Sequence, residues 1–477
     1  MFLNGKNFVF LQPFMNELIT QVNDALWGYV MVAALIVCGI WFTWRTRFVQ
    51  FCMVGEMCRL LTDGAGSGSG RHISSFQAFA VSVASRVGTG NLAGVATAIA
   101  LGGPGAVFWM WVIALIGAAT AFVESTLAQL FKRRHHDAFI GGPAYYIEQG
   151  MRCRSMAVLF AILLTLTFAL SNNSVQANTI CGAMEQAFGW SPLWVGVALS
   201  AVALFIVFGG IHRIAHVSAL LVPLMAVGYF VLAVVVMVLN FDKVPHVLNV
   251  IVSSAFGLDQ AVGGSVGAAM MLGIKRGLFS NEAGEGSAPN AAATAHVSHP
   301  VKQGLIQALG VFTDTLVVCS CTAFIILISG LYEVPELNGI ALTQTALESE
   351  IGSWGSVFVA VAILLFAFSS IIANYYYGES NVRFMTKNPV VMTVFRVLSA
   401  CVMVMFGALS TLDVVWNICD VFMALLTACN LVAIVTLGRY AFRLLDDYQR
   451  QKKAGVREPV FHRHQLPELA DRLECWE

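Results

Sequence analysis

The chain has 477 residues, 58% of them hydrophobic and only 11% charged, and its 27 basic side chains are balanced by 27 acidic ones. A mean hydropathy of +0.75 is more apolar surface than one soluble core can bury, so the chain needs lipid as solvent and holds no soluble domain large enough to be an enzyme. A formal net charge of zero gives no basic field for nucleic acid.

The N-terminus, MFLNGKNFVFLQPFMNELITQ, lacks a basic region followed by an apolar core and a small-residue cleavage site, so no signal peptide is expected. Crossing a hydrocarbon layer of about 30 Å takes about 20 helical residues, and open sheets or loops are not tolerated there. Apolar runs near 25–45, 75–101, 105–131, 157–187, 192–210, 215–240, 263–295, 303–330, 353–378, 389–408 and 413–438 therefore predict an all-α integral membrane protein of about eleven spans. Arg45, Arg47, Arg59 and Arg71 follow the first span, and Lys132, Arg133 and Arg134 follow the third. Excess Lys and Arg marks cytoplasmic loops, which puts the N-terminus outside and the C-terminus inside the cytoplasmic membrane.

Residues 1–74 read as an extra span plus a cytoplasmic segment with a flexible linker, Gly64 to Arg71. Residues 75–240 and 241–438 hold five spans each. GGPAYYIEQGM (Gly141 to Met151) reads as a short amphipathic helix at the interface. The polar tail, 439–477, is expected to have little fold of its own.

Two spans are interrupted. The second contains SRVGTGNLAG (Ser85 to Gly94), and the seventh contains GIKRGLFSNEAGEGSAPNAA (Gly273 to Ala292), with Lys275, Arg276, Glu282, Glu285 and Pro289. Each interior Gly costs a helix roughly 1 kcal/mol and a mid-bilayer arginine at least about 2.5 kcal/mol, so both helices should unwind near the bilayer centre. Freed peptide groups there suit a ligand: N–H clusters attract a carboxylate, and carbonyls suit Na⁺. Breaks five spans apart are what two inverted five-helix repeats give. A lone Gly-rich span more often allows close packing; two charged interruptions at repeat-related places favour a site.

In the fourth span, SNNSVQAN offers Asn173 and Gln176 as site-facing amides. In the ninth, Ser369 and Ser370 could complete a Na⁺ shell, against the commoner alternative of bonding their own helix. Glu124 and Asp314 read as ion-paired acids near helix ends, and Arg276 with Glu282 or Glu285, with Arg86 nearby, as a buried cluster gating the cytoplasmic exit. The eleven cysteines form no CxxC pair and read as buried hydrophobes. His135, His136, His212, His216, His296 and His299 sit at loop or span ends, as surface or capping residues. GxxxxGK[ST] is absent, which argues against ATP coupling, and neither HExxH nor GxSxG supports a membrane enzyme. A channel is the remaining rival.

ASRVGTGNLAGVATAIALGGPGAVFWMW (Ala84 to Trp111) and RGLFSNEAGEGSAPNAAATA (Arg276 to Ala295) resemble signatures of the alanine/glycine:cation symporter family, as do GGPAYYIEQGM, SVQAN and FAFSSII. The resemblance, over about 70 to 435, implies a leucine-transporter-like fold of two inverted five-helix repeats with two discontinuous helices. It also implies Na⁺- or H⁺-driven uptake of alanine or glycine, with glutamine or serine as the alternative. By the VGxGN match at Val87 to Asn91, the backbone of Gly88, Thr89 and Gly90 would hold the substrate carboxylate, with Asn91 beside substrate or ion. The carbonyls of Ala84 and Val87 with the hydroxyls of Ser369 and Ser370 would bind Na⁺. Phe279, Ser280 and Asn281 would complete a small pocket with Gln176. Many relatives carry Gly-Trp where this chain has Ala373-Asn374, which leaves pocket size open.

Overall fold

The computed structural model describes residues 19–66, 73–135, 138–257 and 266–477. Most of the Gly64–Arg71 linker, the N-terminal stretch weighed as a signal peptide, and His136 lie outside the described residues. Among the described residues, seven helices are long and apolar enough to cross a bilayer: α1 (Ile19–Arg45), α5 (Gly105–Leu130), α7 (Arg154–Phe188), α9 (Gly210–Leu239), α13 (Pro300–Ser329), α15 (Trp354–Met385) and α17 (Leu412–Lys453). Four shorter apolar helices join them, α4 (Gly90–Gly102), α8 (Pro192–Val207), α10 (Val244–Ala255) and α16 (Pro389–Val402). Further helices include α2 (Val54–Gly66), α3 (Ser75–Arg86), α6 (Pro143–Tyr146), α11 (Val266–Asn281), α12 (Ala288–Ala292) and α14 (Gly339–Ile351).

Large apolar side chains on α8, α9 and α16, among them Trp194, Phe205, Leu220, Leu224, Val390 and Val394, point outward. Water would penalise such a belt and lipid does not, so polar groups are gathered inside instead. The buried interior holds Glu124, Glu282, Glu285, Asp314 and Asp420 together with Arg86, Lys275 and Arg276.

Both interruptions are present, at different depths of their sequence motifs. The first falls where expected: α3, started by a reciprocal cap between Ser74 and Gln77, ends at Arg86, and helix resumes as α4 at Gly90. The second is later than expected, because α11 runs unbroken through Gly273 and Gly277 to Asn281. A methyl at Gly273 would lie 2.4 Å from the Ala106 carbonyl, and one at Gly277 would lie 2.7 Å from Ile113. Those glycines let α11 press against α5, so close packing is their role. Unwinding begins at Glu282 (φ +56) and continues through Gly284 (φ +99) and Gly286 (φ +80), left-handed conformations that no helix accommodates.

Two other expectations are corrected. GGPAYYIEQGM is helical as expected, but its tyrosines do not face outward: two antiparallel strands, β1 (Arg133–His135) and β2 (Ala138–Ile140), precede α6, where Tyr145 and Tyr146 are buried. Gly142 (φ +129) sits so close to Asn290 that a methyl would approach its Oδ1 to 2.4 Å, and this draws the segment inward. Nor is the tail without fold. α17 reaches Lys453, and the residues after it turn back and bury Phe461, Leu466, Leu469, Leu473 and Trp476. The Trp476 indole donates to the carbonyls of Leu130 (3.0 Å) and Gln129 (3.3 Å), satisfying the C-terminal end of α5. The Phe461 amide donates to the Ser298 carbonyl at 2.9 Å.

Candidate functional site

Ending α3 at Arg86 leaves amides that need acceptors. The Gly88 N–H donates to Asn91 Oδ1 at 2.8 Å, and the Thr89 N–H donates to Gln176 Oε1 at 2.9 Å. Gln176 is in turn aligned by its donation to Asn172 Oδ1 at 2.8 Å. Asn173, the other amide expected to face the site, instead donates to the carbonyls of Ala169 and Ile371. No Cβ fits at Gly88, since it would stand 2.3 Å from Ser370 Oγ and 2.8 Å from Gln176 Oε1.

On the carbonyl side, Ser370 Oγ lies 2.8 Å from Ala84 O, 3.4 Å from Val87 O and 3.1 Å from Phe366 O. Ser369 Oγ lies 2.8 Å from Phe366 O and 3.4 Å from Ala84 O. The four atoms that the family resemblance implies are thus together, and both hydroxyls also bond the Phe366 carbonyl of their own helix, the commoner alternative weighed from the sequence, which makes it a fifth oxygen here. Hydroxyl hydrogens rotate freely, so all five oxygens can turn lone pairs to one hard cation.

Across the break, the ring of Phe279 and the backbone of Ser280 lie where a Cβ at Gly90 would be, at 3.0 and 3.1 Å. Phe279 also packs on Trp416, ring centroids 4.6 Å apart. Asp314, midway along α13, ties the two broken helices: it accepts from Asn91 Nδ2 (2.6 Å), Ser280 Oγ (2.6 Å) and Thr315 Oγ1 (2.9 Å). Asn281 donates to Thr315 Oγ1 at 3.2 Å. Ala84, Val87, Ser369 and Ser370 thus meet on one side of the first break, the Thr89 amide meets Gln176, and Asn91, Ser280 and Asn281 are linked through Asp314 and Thr315.

A family model described as the sodium:alanine symporter family matches residues 12–463. The chain belongs to that family. This symporter is 52% identical over 466 residues, 98% of this chain and 97% of the relative, to the "Probable sodium/glutamine symporter GlnT" of Bacillus subtilis (strain 168). It is 48% identical to the "Amino-acid carrier protein AlsT" of the same organism, covering 98% of this chain and 99% of the relative. The structure of MhsT in complex with L-phenylalanine superposes with a TM-score of 0.51 at 14% identity, covering 78% of this chain and 95% of MhsT, which shows a shared fold. The protein is thus a cation-coupled amino-acid symporter of the membrane, and not an enzyme.

Several residues of the symporter have partners other than those the sequence suggests. Arg276 does not pair with Glu282 or Glu285. It grips Asp420 of α17 with both terminal nitrogens, at 3.0 and 2.8 Å, and Lys275 Nζ joins at 2.9 Å. Trp27 of α1 donates to the Asp420 carbonyl at 3.1 Å, and Arg276 lies over the Trp416 ring at 4.1 Å. Glu124 and Asp314 are likewise not helix-end acids in ion pairs. Glu124 accepts the freed N–H groups of Gly284 and Gly286, both at 3.2 Å, and Asn430 Nδ2 at 2.9 Å. Tyr146 donates to Asn430 Oδ1 and closes the chain. An acid centred in an apolar run was the available signal for Asp314. His299 does act as a cap, accepting from the Val301 N–H at 3.2 Å.

Proposed function

We propose that the protein imports a small neutral amino acid, alanine or glycine, together with Na⁺. The observation carrying this reading is the first break. Its Gly88 and Thr89 N–H groups are held only by neutral side-chain amides, which a substrate carboxylate can displace at little cost, while its carbonyls face Ser369 and Ser370 a few ångströms away. A carboxylate and a cation bound side by side each offset the charge of the other in a medium that solvates neither well. Phe279 against Gly90 keeps the pocket short. Asp314, joined to both Asn91 and Ser280, senses occupancy of either break.

Residues 75–240 and 241–438 act as two inverted five-helix repeats, which with α1 make eleven spans, N-terminus outside and C-terminus cytoplasmic. Transport is by alternating access: the broken helices rock against the others and release both solutes inside, with the ion gradient as the energy source. A second reading, glutamine as substrate, is favoured by the 52% identical relative named as a probable sodium/glutamine symporter.

The deciding experiment is uptake of labelled alanine, glycine and glutamine into proteoliposomes under separate Na⁺ and H⁺ gradients. Na⁺-driven accumulation of alanine or glycine is expected, and Asn91→Ala should abolish it while leaving the protein in the membrane. Accumulation of glutamine alone would transfer the reading to the second substrate, and wild-type uptake by Asn91→Ala would remove the first break from the mechanism.

A further inference from the structure

Glu282 opens the second break, and its carboxylate meets two serines from opposite sides: Ser85 Oγ, on the last turn of α3, at Oε1, and Ser287 Oγ, at the end of the same break, at Oε2. Ser85 Oγ also lies 2.6 Å from Asn374 Oδ1. Asn374 is one helical turn along α15 from Ser370, on the same face, and Ser85 directly follows Ala84. The cluster therefore begins one step from the five oxygens around Ser370. All four residues are buried, from 0% exposed for Asn374 and Ser287 to 3% for Ser85.

Two features of the cluster ask for a ligand. The first is unmet hydrogen bonding. The Ser85 hydroxyl has one hydrogen and two oxygen neighbours, Glu282 Oε1 and Asn374 Oδ1, so one of these two close oxygen pairs has no proton from Ser85 between it. The second is charge. Asp420 has Lys275 and Arg276, and Glu124 has three N–H donors, whereas Glu282 forms no ion pair among the described residues. Around it stand Glu285, Asp314 and the cation Arg86, which also acts on Glu124 and is anchored to the Gln307 carbonyl at 3.2 Å. With one guanidinium among four buried acids, a carboxylate that ionises here needs a further cation to offset it.

We propose that Glu282, Ser85, Ser287 and Asn374 form a second Na⁺ site, occupied by the coupling ion on its way out. One carboxylate with neutral hydroxyl and amide oxygens is a ligand set of the right charge and hardness for a monovalent ion. The route continues along α15: Ser380 Oγ and Asn381 Oδ1 are buried without partners, and Ser380 lines a cavity of about 270 Å³ with Glu379, Arg383 and His212. The ion steps from the Ser370 oxygens to Glu282 when the inner half-helices part, and from there to water in that cavity.

This inference rests on the Na⁺-symport reading, and the test separates the two. Substrate binding to purified protein is titrated with Na⁺, and uptake into proteoliposomes is titrated with Na⁺ placed inside, which loads the site from the exit side. Glu282→Gln is expected to keep the Na⁺ dependence of substrate binding but raise the internal Na⁺ needed for half-inhibition by about tenfold or more. Asn374→Ala, which keeps the carboxylate, should raise it roughly two- to fivefold. An internal Na⁺ curve unmoved in Asn374→Ala and Glu282→Gln overturns the second site. So does a variant response to internal pH in place of Na⁺, which would make the ligand a proton. Wild-type substrate binding indifferent to Na⁺ would instead overturn the symport reading itself.

Discussion

The two broken helices do different work with the same device. At the first break the released N–H groups are caught by Asn91 and Gln176, neutral amides that hold them loosely. At the second, the N–H groups of Gly284 and Gly286 are already taken by the carboxylate of Glu124, and Asn430 secures both that carboxylate and the Gly284 carbonyl. A charged acceptor roughly doubles the strength of such a bond. The second break thus carries its own anion and is fixed to α5 and α17, while the first is left to receive one from outside. Two interruptions in one chain need not serve the same end: on the proposed reading the first binds, while the second gives it a wall of constant shape.

The largest effect should come from filling the first break. Gly88→Ala puts a methyl into the Ser370 hydroxyl and the Gln176 amide oxygen, and overpacking of about 1–3 kcal/mol means roughly a ten- to hundredfold loss of substrate affinity. Equilibrium binding to purified protein would show it, and unchanged affinity would break the contrast. Removing the built-in anion comes next. Glu124→Gln presents an NH₂ where two N–H groups seek acceptors, and an unsatisfied buried donor costs about 1–3 kcal/mol. Substrate affinity should hold while maximal transport falls and thermal stability drops by several degrees; a fall in affinity as steep as that of Gly88→Ala would show that the second break binds too.

The smallest effect lies at the tail. Lys132 donates to the Ala295 carbonyl at 3.0 Å and faces the rings of Phe139 and Trp476. Burial holds its ammonium down at about 7, against an unfolded value of about 10.4. Between those pH values the unfolded chain binds more protons than the folded one, so stability contributed here rises with pH from 7 upward and levels off above 10. Protease resistance of residues 455–477 should follow that rise in the wild type and lose it in Lys132→Met.

Much of this was legible in the sequence because membrane burial makes polarity conspicuous. An apolar span containing SRVGTGNLAG announces the break, while its meeting with Ser369 and Ser370 comes from the family resemblance. The second break was misplaced because glycines serve two purposes: Gly273 and Gly277 allow contact with α5, and only Gly284 and Gly286 permit left-handed backbone. Composition cannot separate these uses. The partners of Arg276 and Glu124 were equally hidden, since Asp420 lies 144 positions away and the amides of Gly284 and Gly286 lie 160 and 162 away. Four of the tail's five anchors, Leu466, Leu469, Leu473 and Trp476, do recur at the 3-4-3 spacing of an apolar face, a signal masked by the charged residues between them.

The carbonyl of Glu477 accepts from the Arg463 amide at 2.9 Å, next to the indole that covers the end of α5. Glu477 is exposed, but a purification handle or fluorescent fusion appended there would pull on the residue beside that indole. Such a handle would pry at the lower end of α5, the helix whose Glu124 steadies the second break, so kinetics measured on a C-terminally tagged protein would be those of a loosened carrier.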